Sequence, residues 1–175
     1  KSDDGYKITC TLNGSTLEVL PALDSSRGRR ATFLIYEECR LIKKSMIDSV
    51  FSPMAHPRQA KYLSNPVYAN DKRWLEECQS IYITSARYKY EYFWNTFKET
   101  FTGYFYDKRT HYNIFAGDIF MSIDNGLKTW GDYRKSKKML GEYDNRMENL
   151  NEMIGENEDA FFTIKSFKQN QIIQR

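Results

Sequence analysis

Two adjacent carboxylates end a short β-prone run. They are the residues of this sequence that most clearly could take part in catalysis or bind a metal ion. Glu37 and Glu38 follow residues 31–36, which are mostly apolar and do not alternate, as in a parallel strand covered on both faces. Ligands of α/β proteins lie beyond the carboxyl ends of such strands. In nucleotide hydrolases one acid at this position helps to hold Mg²⁺, and the next orients or deprotonates the attacking water. The other interpretation is a helix that begins on acids, which favour the positive end of its dipole.

A pair of hydroxyl residues ends a second β-prone run. Thr84 and Ser85 close residues 80–85, after a spacer long enough to hold a helix and a loop. In nucleotide-driven motors, the strand beside the acid-bearing strand often ends on hydroxyls that sense the γ-phosphate. The alternative interpretation is a strand that ends in turn-forming residues.

The elements that must position these side chains alternate between strands and helices. Residues 6–12 and 15–20 have a period of two around Asn13-Gly14, which predicts a β-hairpin. Apolar spacing predicts a helix over residues 41–51, and a further helix is expected near 72–79. The proline-containing stretch 52–70 between them is expected to be irregular.

The second half of the chain continues the alternation. An aromatic-rich helix is predicted over residues 90–105, a strand over 112–123, and helical structure over 129–153 with breaks near Gly141 and Gly155. The aromatic side chains of the first of these helices could pack in a core or stack on bases. Strands that alternate with helices predict an α/β fold with a mostly parallel sheet.

Composition narrows the class of protein. The chain has 175 residues and a net charge of +3, which does not by itself indicate nucleic-acid binding. Its three cysteines lack metal-ligand spacing, so a reducing intracellular compartment is expected. We find no apolar run long enough to span a membrane.

Several short motifs, in this order and at this spacing, resemble the ATPase domain of large terminase subunits, the motors that pump DNA into viral capsids. They lie at residues 13–15, 25–28, 33–38 and 83–86, followed by Arg146-Met-Glu148 and residues 151–156. The resemblance implies a P-loop NTPase fold of the ASCE type. It covers residues 1–127 as the later part of the ATPase domain and 128–175 as a helical linker toward a nuclease domain.

The resemblance also assigns roles to individual residues. Glu37 takes the metal-side position for Mg²⁺ bound with ATP, and Glu38 takes the position of the catalytic base. Thr84 and Ser85 belong to the motif that couples nucleotide state to movement. Arg27, with its neighbours Arg29 and Arg30 as alternatives, would stabilise charge on the transferred phosphoryl group of a nucleotide bound by its own or a neighbouring subunit. A solvated basic loop is the other interpretation.

Two features depart from the family pattern. Large terminase subunits usually have Asp where this chain has Glu37. The phosphate-binding motif GxxxxGK[ST] is also missing from the sequence, so it is expected upstream of Lys1, with the nuclease domain after Arg175. The 175 residues alone are therefore expected to be inactive as an ATPase.

The partners implied by the resemblance are double-stranded DNA, a portal protein, a small terminase subunit and further copies of the chain in a ring. The site of action would be the host cytoplasm, at the viral procapsid, with no membrane. Two alternatives stay open: a helicase-like P-loop ATPase, and a non-catalytic nucleic-acid-binding or assembly module.

Overall fold

The computed structural model describes residues 6–12, 14–56, 64–69, 71, 73 and 76–155. The chain divides into two compact units, Lys1–Ile83 and Thr84–Arg175. Its described residues form a mixed α/β structure with two two-stranded sheets and six helices.

The first unit begins with the predicted β-hairpin, which is confirmed. Strands β1 (Lys7–Thr9) and β2 (Thr16–Glu18) are antiparallel and place Ile8 opposite Leu17. In the turn, Gly14 has φ +73° and its N–H donates to the Cys10 carbonyl oxygen at 2.9 Å. Glycine adopts this left-handed conformation without steric cost, which is why the reversal falls here. Asn13 lies outside the described residues.

Two parallel strands form the second sheet. Strand β3 (Phe33–Tyr36) pairs with β4 (Gln79–Tyr82) in a register that places Phe33 opposite Gln79 and Tyr36 opposite Tyr82. The two predicted strands and their parallel direction are confirmed. The larger parallel sheet flanked by helices that a P-loop NTPase requires is not present in the described part of the chain, because each sheet there ends at two strands.

The expectation that β3 is covered on both faces is wrong. Tyr36 is 4% exposed, stacks on Tyr82 at 4.8 Å and meets the edge of Phe51. The alternate residues Phe33 and Ile35 are 45% and 51% exposed, since successive side chains of a strand point to opposite faces. An uninterrupted apolar run therefore does not guarantee burial on both faces.

The helix predicted over residues 41–51 is confirmed from Lys44 onward. Helix α1 (Lys44–Met46) continues through a π-helical turn, Ile47–Phe51, and a 3₁₀ turn, Ser52–Met54. The buried side chains of this segment that form the core under β3 are Ile47, Val50, Phe51 and Met54.

The stretch between α1 and β4 is only partly described. A short helix, α2 (Pro66–Ala69), lies within the stretch expected to be irregular. The helix predicted near 72–79 falls partly outside the described residues. Residues 76–78 have no regular structure and Gln79 already belongs to β4, so no helix reaches position 79.

The second unit is helical. Its helices are α3 (Tyr92–Tyr106), α4 (Ile119–Asp124), α5 (Trp130–Met139) and α6 (Glu142–Glu148). The aromatic helix and the break near Gly141 are confirmed. The apolar run at residues 160–164 of the sequence lies outside the described residues.

The strand predicted over residues 112–123 is wrong. Residues 111–118 have no regular structure, and 119–124 form α4. The Asp118 carboxylate accepts the Met121 N–H at 2.8 Å and caps the helix, and the Ile119 N–H donates to the Asn149 carbonyl oxygen. A cap and a tertiary hydrogen bond thus override the β-like pattern of the sequence.

Buried asparagines hold α4, α5 and α6 together. The Asn149 side-chain amide donates to the Ser136 hydroxyl at 2.9 Å and to the Asn145 side-chain oxygen at 3.0 Å. Its carbonyl oxygen accepts from Ile119. Asn149 therefore satisfies its polar groups inside the unit and connects three helices.

We expect Thr129→Ala to lower the free energy of unfolding by about 1 kcal/mol near neutral pH, because Thr129 caps α5. The Thr129 hydroxyl donates to Asp132, which is the main reason that the pKa of this carboxyl lies below its usual range. The hydrogen bond from the Asp132 N–H to the Thr129 hydroxyl does not titrate. The part contributed by the ionised Asp132 carboxylate is present above the ordinary aspartate pKa of about 4 and is lost as the pH falls through the lower folded-state pKa. Urea unfolding over a series of pH values from 7 down to 2 measures both parts, with Thr129→Ser as the control; an effect of Thr129→Ala that does not become smaller at low pH contradicts the role of the carboxylate.

Candidate functional site

The acid pair lies at the carboxyl end of the parallel strands. Glu37 and Glu38 form the turn between β3 and the 3₁₀ turn Cys39–Leu41. The Cys39 N–H donates to the Ile83 carbonyl oxygen, and the Ile83 N–H donates to the Tyr36 carbonyl oxygen, both at 3.0 Å. Hydrogen bonds to Ile83, which follows β4, therefore lie directly before and directly after the two acids and hold their backbone in place.

The alternative interpretation, acids that cap a helix, does not fit this geometry. Glu38 precedes the 3₁₀ turn, but its carboxylate makes no capping hydrogen bond. Helix α1 begins only at Lys44, beyond the reach of an N-terminal carboxylate effect, which falls off within the first turn.

Glu38 has a backbone conformation that glutamate rarely adopts. Its φ and ψ are 45° and 46°, in the left-handed region, which costs an L-residue about 1–2 kcal/mol. Strain of this kind is concentrated at functional sites. The neighbouring Glu37 does not have a positive φ.

Arg40 partners the Glu38 carboxylate. The Glu38 Oε2 and Arg40 Nε atoms are 3.3 Å apart, although their alignment does not make a hydrogen bond. Both atoms are shielded from solvent, while the Glu38 side chain as a whole is about half exposed. The carboxylate therefore has one charged neighbour and one side open to a ligand.

Glu37 is exposed and makes no hydrogen bond or ion pair within the described part of the chain. No group of three or more His, Cys, Asp or Glu that could hold a metal occurs among the described residues. Magnesium is commonly bound by one or two carboxylates together with phosphate oxygens and waters. Glu37 fits the role of such a single protein ligand.

Arg27 is occupied elsewhere in the first unit. Its Nη1 donates to the Ser49 carbonyl oxygen at 2.7 Å, and its Nε donates to the Asp24 carboxylate at 3.1 Å. These contacts join the 3₁₀ turn Asp24–Ser26 to the π-helical turn rather than to the acid pair. The alternatives are also engaged, since Arg29 pairs with Glu18 and Arg30 donates to the Arg29 carbonyl oxygen.

The hydroxyl pair lies at the start of the second unit. The Thr84 hydroxyl donates to the Ser85 carbonyl oxygen at 3.3 Å; both side chains are half-buried, and Ala86 after them is buried. Arg87 follows directly and forms ion pairs with Asp144 and Glu148 of α6.

Arg40 and Arg87 were missed by the sequence analysis. Arg40 stands two residues after Glu38, and Arg87 two residues after Ser85. Asp144 and Glu148 are four residues apart on α6 and therefore share one face. In the sequence, these arginines could have been identified only by their closeness to the acid pair and to the hydroxyl pair.

Helix α3 carries a row of aromatic side chains that is half-buried at its start and exposed at Phe101 and Phe105, so these rings are not enclosed in a core. None of its residues is buried. The row consists of Trp94, Phe97, Phe101 and Phe105, whose neighbouring ring centroids are 5.0–6.1 Å apart. Gly103, about two and a half turns from Trp94, lies on the opposite side and packs on the Tyr112 ring.

Comparisons with models of known protein families, with characterised proteins and with solved structures gave no match.

The backbone conformation at Glu38 predicts that glycine is more stabilising than alanine at position 38 and less stabilising than alanine at position 37. At position 38, Gly should give a protein about 1 kcal/mol more stable than Ala, because only Gly tolerates the left-handed conformation. At position 37, Ala should be the more stable by about 0.5–1 kcal/mol. Chemical denaturation of the four variants measures both differences. If Ala were more stable than Gly at both positions, the left-handed conformation of residue 38 would be contradicted. Loss of the Arg40 contact does not affect the comparison, because the Ala and Gly variants at position 38 both lack the carboxylate.

Cys39, directly after the acids, should be unreactive in the folded protein. It is fully buried, and burial raises the pKa of its thiol to about 11. The thiol therefore stays protonated and contributes stability below its ordinary pKa of about 8.5, which is lost as the pH rises through the folded-state value.

A disulfide-exchange reagent at pH 8 should label the exposed Cys10 and Cys78 at once and Cys39 only after denaturation. The Cys10→Ser/Cys78→Ser double variant serves as the control, since Cys39 is its remaining thiol. Rapid labelling of that variant in its native state would contradict the burial.

Proposed function

We propose that this chain is the later part of the ATPase domain of a viral DNA-packaging motor, a large terminase subunit that drives double-stranded DNA into a procapsid. One observation carries the proposal. The acid pair ends one strand of a parallel pair, and the chain of the other strand continues directly into Thr84 and Ser85. In P-loop motors the acid-bearing strand and the sensing strand are neighbours in the same way. We therefore propose that the complete ATPase domain has a P-loop NTPase fold.

The roles proposed for the acids are those that the resemblance implies, and the surroundings of the two side chains are compatible with them. Glu38, half exposed and beside one cation, accepts the proton of the attacking water or orients it by a hydrogen bond. Glu37, exposed and without a protein partner in the described residues, supplies an oxygen ligand. When bound, Mg²⁺ neutralises charge on the β- and γ-phosphates of ATP. The resemblance assigns to Thr84 and Ser85 the sensing of the γ-phosphate.

Arg27 acts in this proposal on a nucleotide after leaving its present partners. Its side chain is 54% exposed, so its pair with Asp24 contributes little and is readily exchanged. A ring of copies on the portal, with the small terminase subunit and DNA as partners, would bring Arg27 of one subunit to the nucleotide of another. No helix in the described residues could cross a membrane.

The proposal requires a phosphate-binding loop, which residues 1–175 do not contain, and therefore concerns a longer protein of which this chain is part. We expect Glu38→Gln in that protein to lower the rate of ATP hydrolysis about 10²–10⁴-fold, the usual contribution of general acid–base catalysis. Glu77→Gln, an exposed glutamate in the same unit, should leave the rate unchanged. A coupled assay of phosphate release measures both, and an unaffected Glu38→Gln rate removes Glu38 from the mechanism.

A second candidate, a non-catalytic nucleic-acid-binding module, is favoured by the aromatic row of α3. The ammonium groups of Lys89 and Lys98 lie 5.4 and 5.8 Å from the Trp94 ring centroid, which combines positive charge with rings on which bases can stack. Tight, salt-dependent oligonucleotide binding together with no ATP hydrolysis by the longer protein would favour this module. A helicase-like ATPase would instead separate strands and fail to package DNA.

A further inference from the structure

We infer that Arg87 is a positioning residue that makes the hydroxyl pair and helix α6 move together, an inference that rests on the proposed function. If Thr84 and Ser85 respond to the γ-phosphate, their displacement must reach other parts of the motor. Arg87 is separated from Ser85 by the buried Ala86 alone. It is therefore the first side chain that can pass the displacement on.

The side chain of Arg87 is bound to α6 by two carboxylates. Its Nη2 lies 2.9 Å from the Glu148 Oε1, and its Nη1 lies 3.5 Å from the Asp144 Oδ1. Arg87 is 26% exposed, and its shielded Nε has no hydrogen-bond partner in the described part of the chain. These two acids are the charged partners of a partly shielded guanidinium, so a shift of α6 away from Arg87 would separate the paired charges.

The backbone around Arg87 is bound to the segment after α6. The Ile154 N–H donates to the Arg87 carbonyl oxygen at 2.9 Å, and the Lys89 N–H donates to the Ile154 carbonyl oxygen at 2.7 Å, forming a parallel bridge between Tyr88 and Ile154. The Arg87 N–H also contacts the Met153 sulfur at 3.3 Å. Both α6 and the residues that follow it are thus held to the same short stretch.

From α6 the connection extends to two further helices. Asn149, next to Glu148, donates to Ser136 of α5 and accepts from Ile119 at the start of α4. Because these bonds are made by buried or half-buried groups, they are costly to break singly. The contacts of Arg87 therefore join the hydroxyl pair to the helical part of the second unit.

The guanidinium suits this task better than an ammonium group. Two of its nitrogens reach two carboxylates that are one helical turn apart, and its planar shape fixes their relative position. A lysine at position 87 would keep the charge and lose the double contact. Arg87→Lys should therefore resemble the loss of the side chain in coupling, although it preserves the net charge.

The test measures DNA packaged per ATP hydrolysed by the longer protein, using nuclease protection and phosphate release in one reaction. We expect Arg87→Gln and Arg87→Lys to lower this ratio at least about fivefold, the lower range of coupling between sites, while ATP hydrolysis continues. The matched control is Arg146→Gln, which removes another ion pair of the same unit, Arg146 with Glu152 at 2.7 Å. It should leave the ratio unchanged.

Two further variants keep the inference testable. If the Arg87 variants do not fold, Asp144→Asn/Glu148→Gln removes the same contacts from the α6 side and should lower the ratio equally. The charge exchange Arg87→Glu/Glu148→Arg should restore part of it, which a purely local packing role would not predict.

The outcomes separate the two proposals. An unchanged ratio in folded Arg87 and Asp144/Glu148 variants overturns the role of Arg87 and leaves the ATPase proposal standing. A ratio lowered equally by Arg146→Gln also overturns it, because the effect would then be general to the unit. A wild-type protein that does not hydrolyse ATP overturns the proposed function itself.

Discussion

The parallel pairing of β3 with β4 is the constraint on which the candidate site depends. It joins residues separated by more than 40 positions in the chain, a contact whose loop-closure entropy must be offset by burial and hydrogen bonding. The stacked rings of Tyr36 and Tyr82 and the hydrogen bond from Cys39 to Ile83 provide part of that offset. Because the strands are parallel, their carboxyl ends lie at one edge, and the acid pair has a fixed place there.

The acid pair occupies that edge at a cost. A left-handed glutamate and a shielded Glu38–Arg40 contact without good alignment both reduce stability, and a glycine at position 38 would remove the backbone strain. The strained backbone at Glu38 is the kind of feature that motivates a functional hypothesis. The chemical role proposed for the two acids accounts for a strained carboxylate beside an exposed one.

The sequence predicted those elements whose signals are local. The hairpin around Gly14 follows from turn chemistry and period-two alternation, and α3 from its aromatic spacing. The sequence-based prediction is wrong where a capping or tertiary hydrogen bond determines the structure. An example is α4, which has a β-like sequence but is stabilised as a helix by the Asp118 cap and the hydrogen bond to Asn149. The sequence identified the acids and hydroxyls by type and order, but not Arg40 or Arg87, because the partners of an arginine depend on the fold.

Arg27 and Arg87 differ in exposure in a way that suits the different tasks proposed for them. Arg27 is more than half exposed, and its pair with Asp24 is screened by solvent and worth about 0–1 kcal/mol, so exchanging partners costs little. Arg87 is about a quarter exposed and has two carboxylate partners, so removing both would leave a partly shielded charge without a partner, which is more costly. A residue that must reach a nucleotide during a cycle needs the first property. A residue that must keep two segments together through the same cycle needs the second.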